Sequence, residues 1–495
     1  MKKTLLFLGL LGLASQAQAQ GPWTLVNTAN SNIFGQYNVV DVHTLSPTLM
    51  WGVTSERSAT ATIPNTFIVT NNSTGAGDQY DFSTVTVTGN ATVGNISGIS
   101  ASTAVAAVYP GSTFTGGTNY GGEILKTING GQNWLKKTTA AHFTGPGTFC
   151  NWVHMFNSTT GVALGDPATA GGGFEILRTT DGGENWNRLT SGVPAALPDE
   201  YGNAGSFFAS NSAPGTLWTG LASSNGTNTV RIFKTTDFGL TWVASGLIPN
   251  IVGAVSQLAF KDNNLDGIAY GFTIVNSAIT ALNVAKTTDG GMTWTAITPN
   301  NTAAGSFFRN SIDAVGNTFY STGPRYAVAP STQVPEDFGF SSSTDGINWT
   351  NITVSGTSLS TPGYFFCMDL IPTASPNTVV GHGGLYTDPS GAGGVYKYSR
   401  TALATRDAGL QSSLNVYPNP STSGVFKVDL GSDLKAGAKL TVVDALGRQV
   451  AGQTLTASAI GSRTISLDLS GEKTGVYTLQ VRTDAGIATQ KVVID

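Results

Sequence analysis

A tract that ends in tryptophan recurs along the chain at nearly constant spacing, and this spacing constrains the fold more than any other feature. The five copies are residues 127–134 (TINGGQNW), 179–186 (TTDGGENW), 235–242 (TTDFGLTW), 287–294 (TTDGGMTW) and 343–349 (STDGINW). The intervals between successive tryptophans are 52, 56, 52 and 55 residues. A fixed period of this length indicates one supersecondary unit that is copied along the chain.

Each copy of the unit reads as four short strands. After Trp242, strands are predicted over residues 256–260, 268–272 and 282–287, and another follows the next tract over 294–297. Four strands in a copy of about 55 residues are typical of one blade of a β-propeller. The 62 glycines suit such an all-β fold, because its many tight turns need them.

The same spacing can be extended to both ends of the repeat. Phe82 lies 52 residues before Trp134, and Trp23 lies 59 residues before Phe82. Residues 364–370, 378–381 and 394–398 supply three strands without a fourth, whereas Trp23 begins a strand with no tract before it. We therefore predict that the first strand completes the last blade, which leaves few exposed edges. The count is seven blades, with six and eight as open alternatives.

The fold class predicted for the whole chain is all-β: a seven-bladed β-propeller over residues 21–400, followed by a small β-sandwich. Residues 401–413 have the polar composition of a linker. Residues 414–495 then alternate strands with turns rich in Gly and Asp, and the strands are predicted over 425–430, 439–443, 463–469, 475–482 and 488–494. Alternation of this kind over about 80 residues is typical of a small sandwich.

The N-terminal residues predict export, and the rest of the chain predicts neither a transmembrane segment nor a nucleic-acid partner. Residues 1–20 have a basic start, an apolar stretch and the small-x-small sequence Ala17-Gln18-Ala19, so we predict a signal peptide. After its cleavage no transmembrane segment is expected, because no later stretch holds about 18 uninterrupted apolar residues. The net charge is −4, and a nucleic-acid partner is not expected without a surplus of Lys and Arg.

The chain has two cysteines, Cys150 and Cys367. Both fall near the start of the first strand after a tryptophan tract, but in copies that lie nearly opposite one another in a closed ring. Their Cα atoms are then expected to lie beyond the roughly 7 Å limit for a disulfide. We predict two buried free thiols.

The repeated S/T-x-D-G-G-x-x-W tract resembles the Asp-box found in sialidases, sortilin-type receptors, xyloglucan hydrolases and photosystem II assembly-factor propellers. In such a hairpin the Asp carboxylate accepts hydrogen bonds from N–H groups of its own turn, and the Trp packs between blades. The resemblance implies a position on the outer rim, so a structural role is predicted for these residues. They are Asn129, Trp134, Asp181, Trp186, Asp237, Trp242, Asp289, Trp294, Asp345 and Trp349.

The C-terminal region resembles the type A sorting domain of the type IX secretion pathway of Bacteroidota. The resemblance rests on residues 417–420 (YPNP), 443–448 (VDALGR), 474–477 (TGVY) and 491–494 (KVVI). It implies that residues 414–495 engage the type IX secretion machinery. The protein is then expected to cross the outer membrane and to be released or held at the cell surface.

The repeat leaves two functions open for the ring. The leading hypothesis is a scaffold for glycan or protein recognition, with ligand contacts from loops that enter the innermost strands or join the second and third strands. The candidate ligand-binding residues are His142, Tyr201, Arg325 and Tyr326. Sialidase chemistry is disfavoured, because the arginines of the ring are few and poorly placed to clamp a carboxylate.

The alternative is a glycoside hydrolase of the sialidase- or xyloglucanase-like propeller type. Its candidate catalytic residues are Asp166 together with Asp199 or Glu200. Two carboxylates roughly 5 to 9 Å apart suit glycoside hydrolysis. The competing interpretation is that these acids cap turns or are solvated.

Metal ions and cofactors are not expected. The four histidines are not spaced as metal ligands, and no acidic calcium loop is present. His154, in an alternating apolar strand, is interpreted as a satisfied core histidine.

Overall fold

The computed structural model describes most of the chain, with gaps at both ends and within several loops. The described residues are 23–25, 37–56, 66–71, 80–84, 91–110, 122–144, 149–275, 278–302, 305–325, 338–352, 363–373, 378–387, 394–401, 414–430, 438–444, 448–482 and 487–495. The chain divides into two compact units: Gly21–Ala374 with Thr378–Ser399, and Arg400–Asp495. Nearly all of the regular structure is β-strand, and no described helix is long and apolar enough to cross a membrane.

The larger unit is built from four-stranded antiparallel sheets, of which the described residues contain seven. Sheet 1 holds β2 (Tyr37–Ser46), β3 (Leu49–Glu56), β4 (Thr66–Asn71) and β5 (Tyr80–Thr84). Sheet 2 holds β6 (Ala91–Gly98), β7 (Ala104–Pro110), β8 (Glu123–Thr127) and β9 (Leu135–Lys136). Sheet 3 holds β10 (Cys150–Met155), β11 (Gly161–Pro167), β12 (Phe174–Thr179) and β13 (Asn187–Arg188). Sheet 4 holds β14 (Glu200–Ala209), β15 (Leu217–Ser223), β16 (Ile232–Thr235) and β17 (Val243–Ala244).

The remaining sheets of this unit follow the same plan. Sheet 5 holds β18 (Gln257–Phe260), β19 (Gly267–Val275), β20 (Ala278–Thr287) and β21 (Thr295–Ile297). A short hairpin of β22 (Asn301–Thr302) and β23 (Gly305–Ser306) precedes sheet 6. Sheet 6 holds β24 (Ser311–Val315), β25 (Thr318–Pro324), β26 (Phe338–Ser343) and β27 (Thr350–Asn351). Sheet 7 holds β28 (Gly363–Pro372), β29 (Thr378–Thr387), β30 (Gly394–Thr401) and β1 (Thr24–Leu25).

Sheet 7 joins the two ends of the larger unit. Its β1 pairs antiparallel with β30, with Thr24 opposite Lys397 and Leu25 opposite Tyr396. The predicted pairing of the first strand with the last three is therefore present. Trp23, next to β1, is 2% exposed and packs edge-on against Phe340 of sheet 6, with ring centroids 5.3 Å apart.

The first strands of the seven sheets contact one another in cyclic order. Each of β2, β6, β10, β14, β18, β24 and β28 contacts the first strand of the next sheet, and β28 contacts β2. Apolar clusters fill the spaces between neighbouring sheets. In one of them Trp242 of sheet 4 packs with Trp152 of sheet 3, at a centroid distance of 6.4 Å.

The tryptophan tracts form turns with a repeated hydrogen-bond pattern. In the second copy the Thr179 hydroxyl donates to Asp181 at 2.8 Å, and the Asn185 N–H donates to the same carboxylate oxygen at 2.9 Å. Gly183 has φ = 83°, a conformation that glycine adopts without strain, and its N–H donates to Thr179. The other four copies share the hydroxyl and backbone bonds to the Asn129, Asp237, Asp289 or Asp345 side chain. Each of these side chains thus accepts hydrogen bonds from groups of its own turn, and the structural role assigned to the tracts stays a prediction.

The smaller unit consists of two antiparallel sheets and a short helix. One sheet holds β31 (Asn415–Tyr417), β32 (Val425–Asp429) and β35 (Thr464–Asp468). The other has the order β34 (Gln449–Thr454), β33 (Lys439–Val443), β36 (Gly475–Arg482) and β37 (Ile487–Ile494). Helix α1 (Ala457–Gly461) is capped by the Thr456 side chain. Both sheets contribute to one apolar core, which includes Phe426 and Val428 from the first and Leu479 and Val481 from the second.

Both cysteines are buried free thiols, as predicted. Burial raises the pKa of the Cys150 thiol and of the Cys367 thiol. The Cys367 Sγ lies 3.4 Å from the carbonyl oxygen of Val39 in the neighbouring sheet.

Candidate functional site

The first group of predicted site residues lies around Asp166, at the end of β11. Its Oδ1 accepts hydrogen bonds from the Asn151 side chain at 2.7 Å and from the Gly202 N–H at 2.9 Å. Burial raises the pKa of Asp166 to about 6, although these two bonds act in the opposite direction. None of the bonds described for Asp166 uses Oδ2. Asp166 therefore joins sheet 3 to the start of β14 and keeps one carboxyl oxygen for other contacts.

The two acids proposed as its catalytic partners are held by protein groups. Glu200 forms a two-pronged ion pair with Arg231, with N–O distances of 2.8 Å at both oxygens, and also accepts the Leu197 N–H. Asp199 accepts the Asn228 side chain at 2.6 Å and the Ser223 hydroxyl, and these bonds lower its pKa. Each acid thus has a structural partner, and a catalytic role for either stays a prediction.

The predicted ligand-binding residues are not gathered in one place. Tyr201 is 38% exposed and is close enough to Asp166 for that carboxylate to raise its pKa, after the larger effect of burial. The His142 ring accepts from the Thr139 N–H at 2.9 Å and lies 2.9 Å from the Trp186 carbonyl oxygen, so both nitrogens are used. Arg325 forms a β-bridge with Phe308, and Tyr326 lies outside the described residues.

A second site was not predicted from the sequence: a cavity of about 1040 Å³ surrounded by the first strands of all seven sheets. Its lining combines polar side chains with partly exposed aromatic rings. None of the candidate catalytic or ligand-binding residues proposed above is among the described residues that line it. The lining residues with titratable or aromatic side chains include Asp41, His43, His154, Phe156, Phe207, Phe208, Tyr270, Phe272, Arg309, Asp313, Phe366 and Asp369.

Side chains of one first strand bind the backbone of the next strand around this cavity. Asp41 of β2 accepts the Ile96 N–H of β6 at 2.8 Å, and Asp313 of β24 accepts the Leu370 N–H of β28 at 2.7 Å. Asp369 of β28 accepts a backbone N–H of β2. We call these contacts, with those of three neutral side chains, the inter-strand latches. In the neutral latches the side chains of Asn95, Ser97 and Gln257 accept the N–H groups of Val153, Met155 and Ile312, respectively.

The latches follow from the position of the first strands. Each of these strands is at the edge of its four-stranded sheet, so one side of its backbone has no ladder partner. An unpaired N–H group that is removed from water costs about 1–3 kcal/mol. A side chain from the neighbouring sheet supplies the missing acceptor and ties the two sheets together.

Burial sets the charge state of the titratable groups at the cavity. It raises the pKa of Asp41 to about 7, with a smaller contribution from Asp369, and raises the pKa of Asp313 and of Asp369. It lowers the pKa of His43 and lowers that of His154 to about 3. The imidazoles are therefore neutral at neutral pH, and the acids hold their protons to higher pH than exposed acids do.

The interpretation of His154 as a satisfied core histidine is wrong. Its side chain is only partly buried and lines the cavity, and none of the hydrogen bonds described for the chain involves its ring. It contacts other rings instead: Phe156 at a centroid distance of 5.0 Å, Phe207 at 5.7 Å and His43 at 6.1 Å. We call these four residues the ring wall.

The sequence carries a pattern that corresponds to the lining of the cavity. Polar residues alternate with apolar ones in several first strands, as in Asp41-Val42-His43, Asn95-Ile96-Ser97 and Ser311-Ile312-Asp313. Alternate residues of a strand share a face, so each pair points toward the same neighbour. Among the described residues, no group of three or more His, Cys, Asp or Glu side chains is arranged to hold a metal ion.

Comparison with protein families identifies a known domain in the C-terminal part of the chain. Residues 415–495 match the secretion system C-terminal sorting domain. This is the sorting domain of type IX secretion, so the match indicates export and a cell-surface or secreted location. It also implies that the segment interacts with the secretion machinery. No curated protein sequence matches the chain.

Solved structures similar to the chain include propeller-type proteins. One is YCF48 bound to D1 peptide, at 15% identity and TM-score 0.43, covering 76% of this chain and 95% of that one. Another is the GH74 xyloglucanase of Xanthomonas campestris, at 10% identity and TM-score 0.43, covering 95% and 81%. The polysaccharide lyase Uly1 matches at 10% identity and TM-score 0.45, covering 77% and 97%.

Proposed function

We propose that the chain is an exported recognition scaffold, a seven-bladed Asp-box β-propeller that binds a glycan or a protein and is delivered across the outer membrane by a C-terminal β-sandwich. The cyclic contacts of the first strands and the pairing of β1 with β30 support the blade count. The shared core of the two C-terminal sheets supports the sandwich. The match to the sorting domain supports delivery.

Binding is favoured over hydrolysis because the candidate acids are hydrogen-bonded to other groups of the protein. Glu200 is bound by Arg231, Asp199 by Ser223 and Asn228, and the cavity acids by backbone N–H groups of neighbouring strands. A retaining or inverting glycosidase needs two carboxyl groups that face one substrate bond. Both oxygens of Glu200 are bonded to Arg231, so Glu200 does not supply one member of such a pair.

Glycoside hydrolysis is kept as a second function because of one observation at Asp166. Burial raises its pKa to about 6, and the partly exposed Tyr201 lies close by. A raised pKa near the working pH is what a general acid requires. Its bonds to Asn151 and Gly202 leave Oδ2 for a substrate.

The test is a panel of glycans and surface proteins screened for binding to the full-length exported chain, with parallel polysaccharide digestions. Saturable binding without new reducing ends supports the recognition scaffold. Hydrolysis that is lost in Asp166→Asn establishes the second function instead. Absence of both binding and hydrolysis across the panel contradicts the proposal.

A further inference from the structure

The cavity between the first strands has an aromatic side. His154 and Phe156 come from β10 and the residue just after it, Phe207 from β14 and His43 from β2. The ring wall is therefore held by three different sheets, and its side chains are partly exposed to the cavity. Phe207 is supported from behind by Trp152, with ring centroids 5.0 Å apart.

Another part of the cavity presents carboxyl groups. Asp41 and Asp369 each use Oδ2 for an inter-strand latch, and Asp41 also accepts the Val42 N–H. Both side chains are partly exposed and line the cavity. Because burial raises the pKa of Asp41 to about 7, its carboxyl group donates as well as accepts hydrogen bonds near neutral pH, which suits hydroxyl groups of a ligand.

The charge of the cavity argues against a polyanionic ligand. Among the described lining residues Arg309 is the one Lys or Arg side chain, whereas recognition of repeated sulfates or carboxylates needs several such groups. The two imidazoles add no positive charge at neutral pH, since burial lowers the pKa of each.

The latches argue against an extended peptide. A peptide that adds a strand to a sheet needs free N–H and C=O groups along the edge. At the cavity the N–H groups of Ile96, Gly98 and Leu370 are already donated to Asp41, His43 and Asp313. The Val153 backbone is doubly bound, because its N–H and its carbonyl oxygen both contact the Asn95 side chain.

We propose that this cavity binds an uncharged glycan segment, with a sugar ring against His154 and Phe207 and its hydroxyl groups bonded to Asp41 and Asp369. The inference rests on the proposed recognition function and assigns it a site and a ligand class. Sugar rings have one apolar face and a rim of hydroxyls, which corresponds to a ring wall beside hydrogen-bonding groups. The volume of about 1040 Å³ is at the upper end of ligand pockets, so it accommodates more than one sugar unit.

The experiment is calorimetric titration of the full-length chain with neutral oligosaccharides chosen from a glycan array, with sulfated and uronic-acid oligosaccharides and peptides as parallel ligands. His154→Ala removes the central ring and is expected to weaken neutral-glycan binding about tenfold or more, on the scale of one lost aromatic contact. His154→Phe keeps a ring and is expected to stay within about threefold of the natural chain. Val243→Ala, at an exposed position of β17 outside the cavity lining, serves as the control and is expected to bind normally.

Thermal melting of each variant separates loss of folding from loss of binding. If His154→Ala melts well below the natural chain, glycan binding by Asp369→Asn is measured instead. In that variant the amide oxygen still accepts the Thr44 N–H, whereas the carboxyl group is removed. Neutral-glycan binding that both cavity variants leave unchanged overturns the proposed site. Binding of anionic glycans or peptides alone also overturns it, but leaves the recognition function standing. Only the absence of binding to every tested ligand contradicts both the proposed glycan site and the recognition function.

Discussion

Asp313 accepts a hydrogen bond from the backbone N–H of Leu370 at 2.7 Å, and this contact joins the first strands of sheets 6 and 7. Asp313 is 5% exposed, and its other oxygen accepts the N–H of Ala314. The carboxyl group therefore serves the backbone of its own strand and of the next one. Equivalent latches lie between other neighbouring sheets, with Asn95 and Gln257 as neutral counterparts.

Asp313→Ala is expected to lower the free energy of unfolding by about 1–3 kcal/mol, because the Leu370 N–H then has no acceptor. Asp313→Asn keeps one oxygen to accept the Leu370 N–H but loses the acceptor of the Ala314 N–H, so it is expected to cost less than Asp313→Ala. Urea denaturation of the two variants checks the difference. Equal losses in both contradict the role of the latch.

Asp41 gives the stability a dependence on pH near neutrality. Its pKa is raised from 3.8 to about 7, so the folded chain keeps a proton that the unfolded chain releases. The stabilising contribution is complete below about pH 4 and is lost as the pH rises through about 7. Melting temperatures measured from pH 4 to pH 8 are expected to fall less steeply in Asp41→Asn than in the natural chain. An unchanged slope in this variant contradicts the assignment.

The contribution of Asp181 to stability depends on pH in the opposite direction to that of Asp41. Its pKa is lowered from 3.8 to about 2, chiefly by hydrogen bonds from the backbone and side chain of Asn185. Its contribution is present above about pH 4 and is lost as the pH falls toward 2. Asp181→Asn is therefore expected to reduce the loss of stability between pH 4 and pH 2 and to leave the slope near neutrality unchanged. Acid titration followed by tryptophan fluorescence measures both ranges.

The Glu200–Arg231 pair distinguishes a structural acid from a catalytic one. Both side chains are largely buried, at 3% and 14% exposure, so Glu200→Gln leaves a desolvated guanidinium without its anion. Loss of about 3 kcal/mol of stability is expected. The double variant Glu200→Gln, Arg231→Gln is expected to recover part of this loss, because no unpaired charge remains. Full stability with lost hydrolysis in Glu200→Gln speaks for catalysis instead.

Asn419 links two of the sequence motifs of the sorting domain. Its side chain accepts the Val493 N–H at 2.9 Å and donates to the Lys491 carbonyl oxygen at 2.6 Å. Asn419→Ala is expected to destabilise the attachment of the last strand by about 1–2 kcal/mol, the net value of two hydrogen bonds. We expect faster proteolysis of the C-terminal unit and a smaller exported fraction. Asn415→Ala, on an exposed strand position, is the control.

Local patterns were sufficient for much of the architecture. The tract around Asp181 identifies its own turn, because Thr179, Asp181 and Asn185 bond within seven residues. The strand at Trp23 could be paired with residues 394–398 by counting strands, and β1 does pair with β30. Free thiols at Cys150 and Cys367 followed from the same geometry. Period and turn chemistry are short-range properties, so the sequence displays them directly.

The candidate site was harder to predict, because its contacts span long distances in the chain. Glu200 and Arg231 are 31 residues apart, and nothing in their local sequence pairs them. Asp369 and Thr44 are separated by 325 residues and meet because sheet 7 contacts sheet 1. His154 was misjudged, since alternation in a strand shows which residues share a face but not whether that face meets a core or a cavity.

The sequence by itself determined the repeated four-stranded unit, the turns of its tracts and the presence of a sorting domain, because each depends on residues that are close together in the chain. The tertiary structure decided which polar residues became latches and which faced open space. Those outcomes depend on how seven separate sheets meet, and the edge N–H groups that need an acceptor exist only after the sheets have formed. The cavity with Asp41, His154 and Asp369 is a product of that assembly.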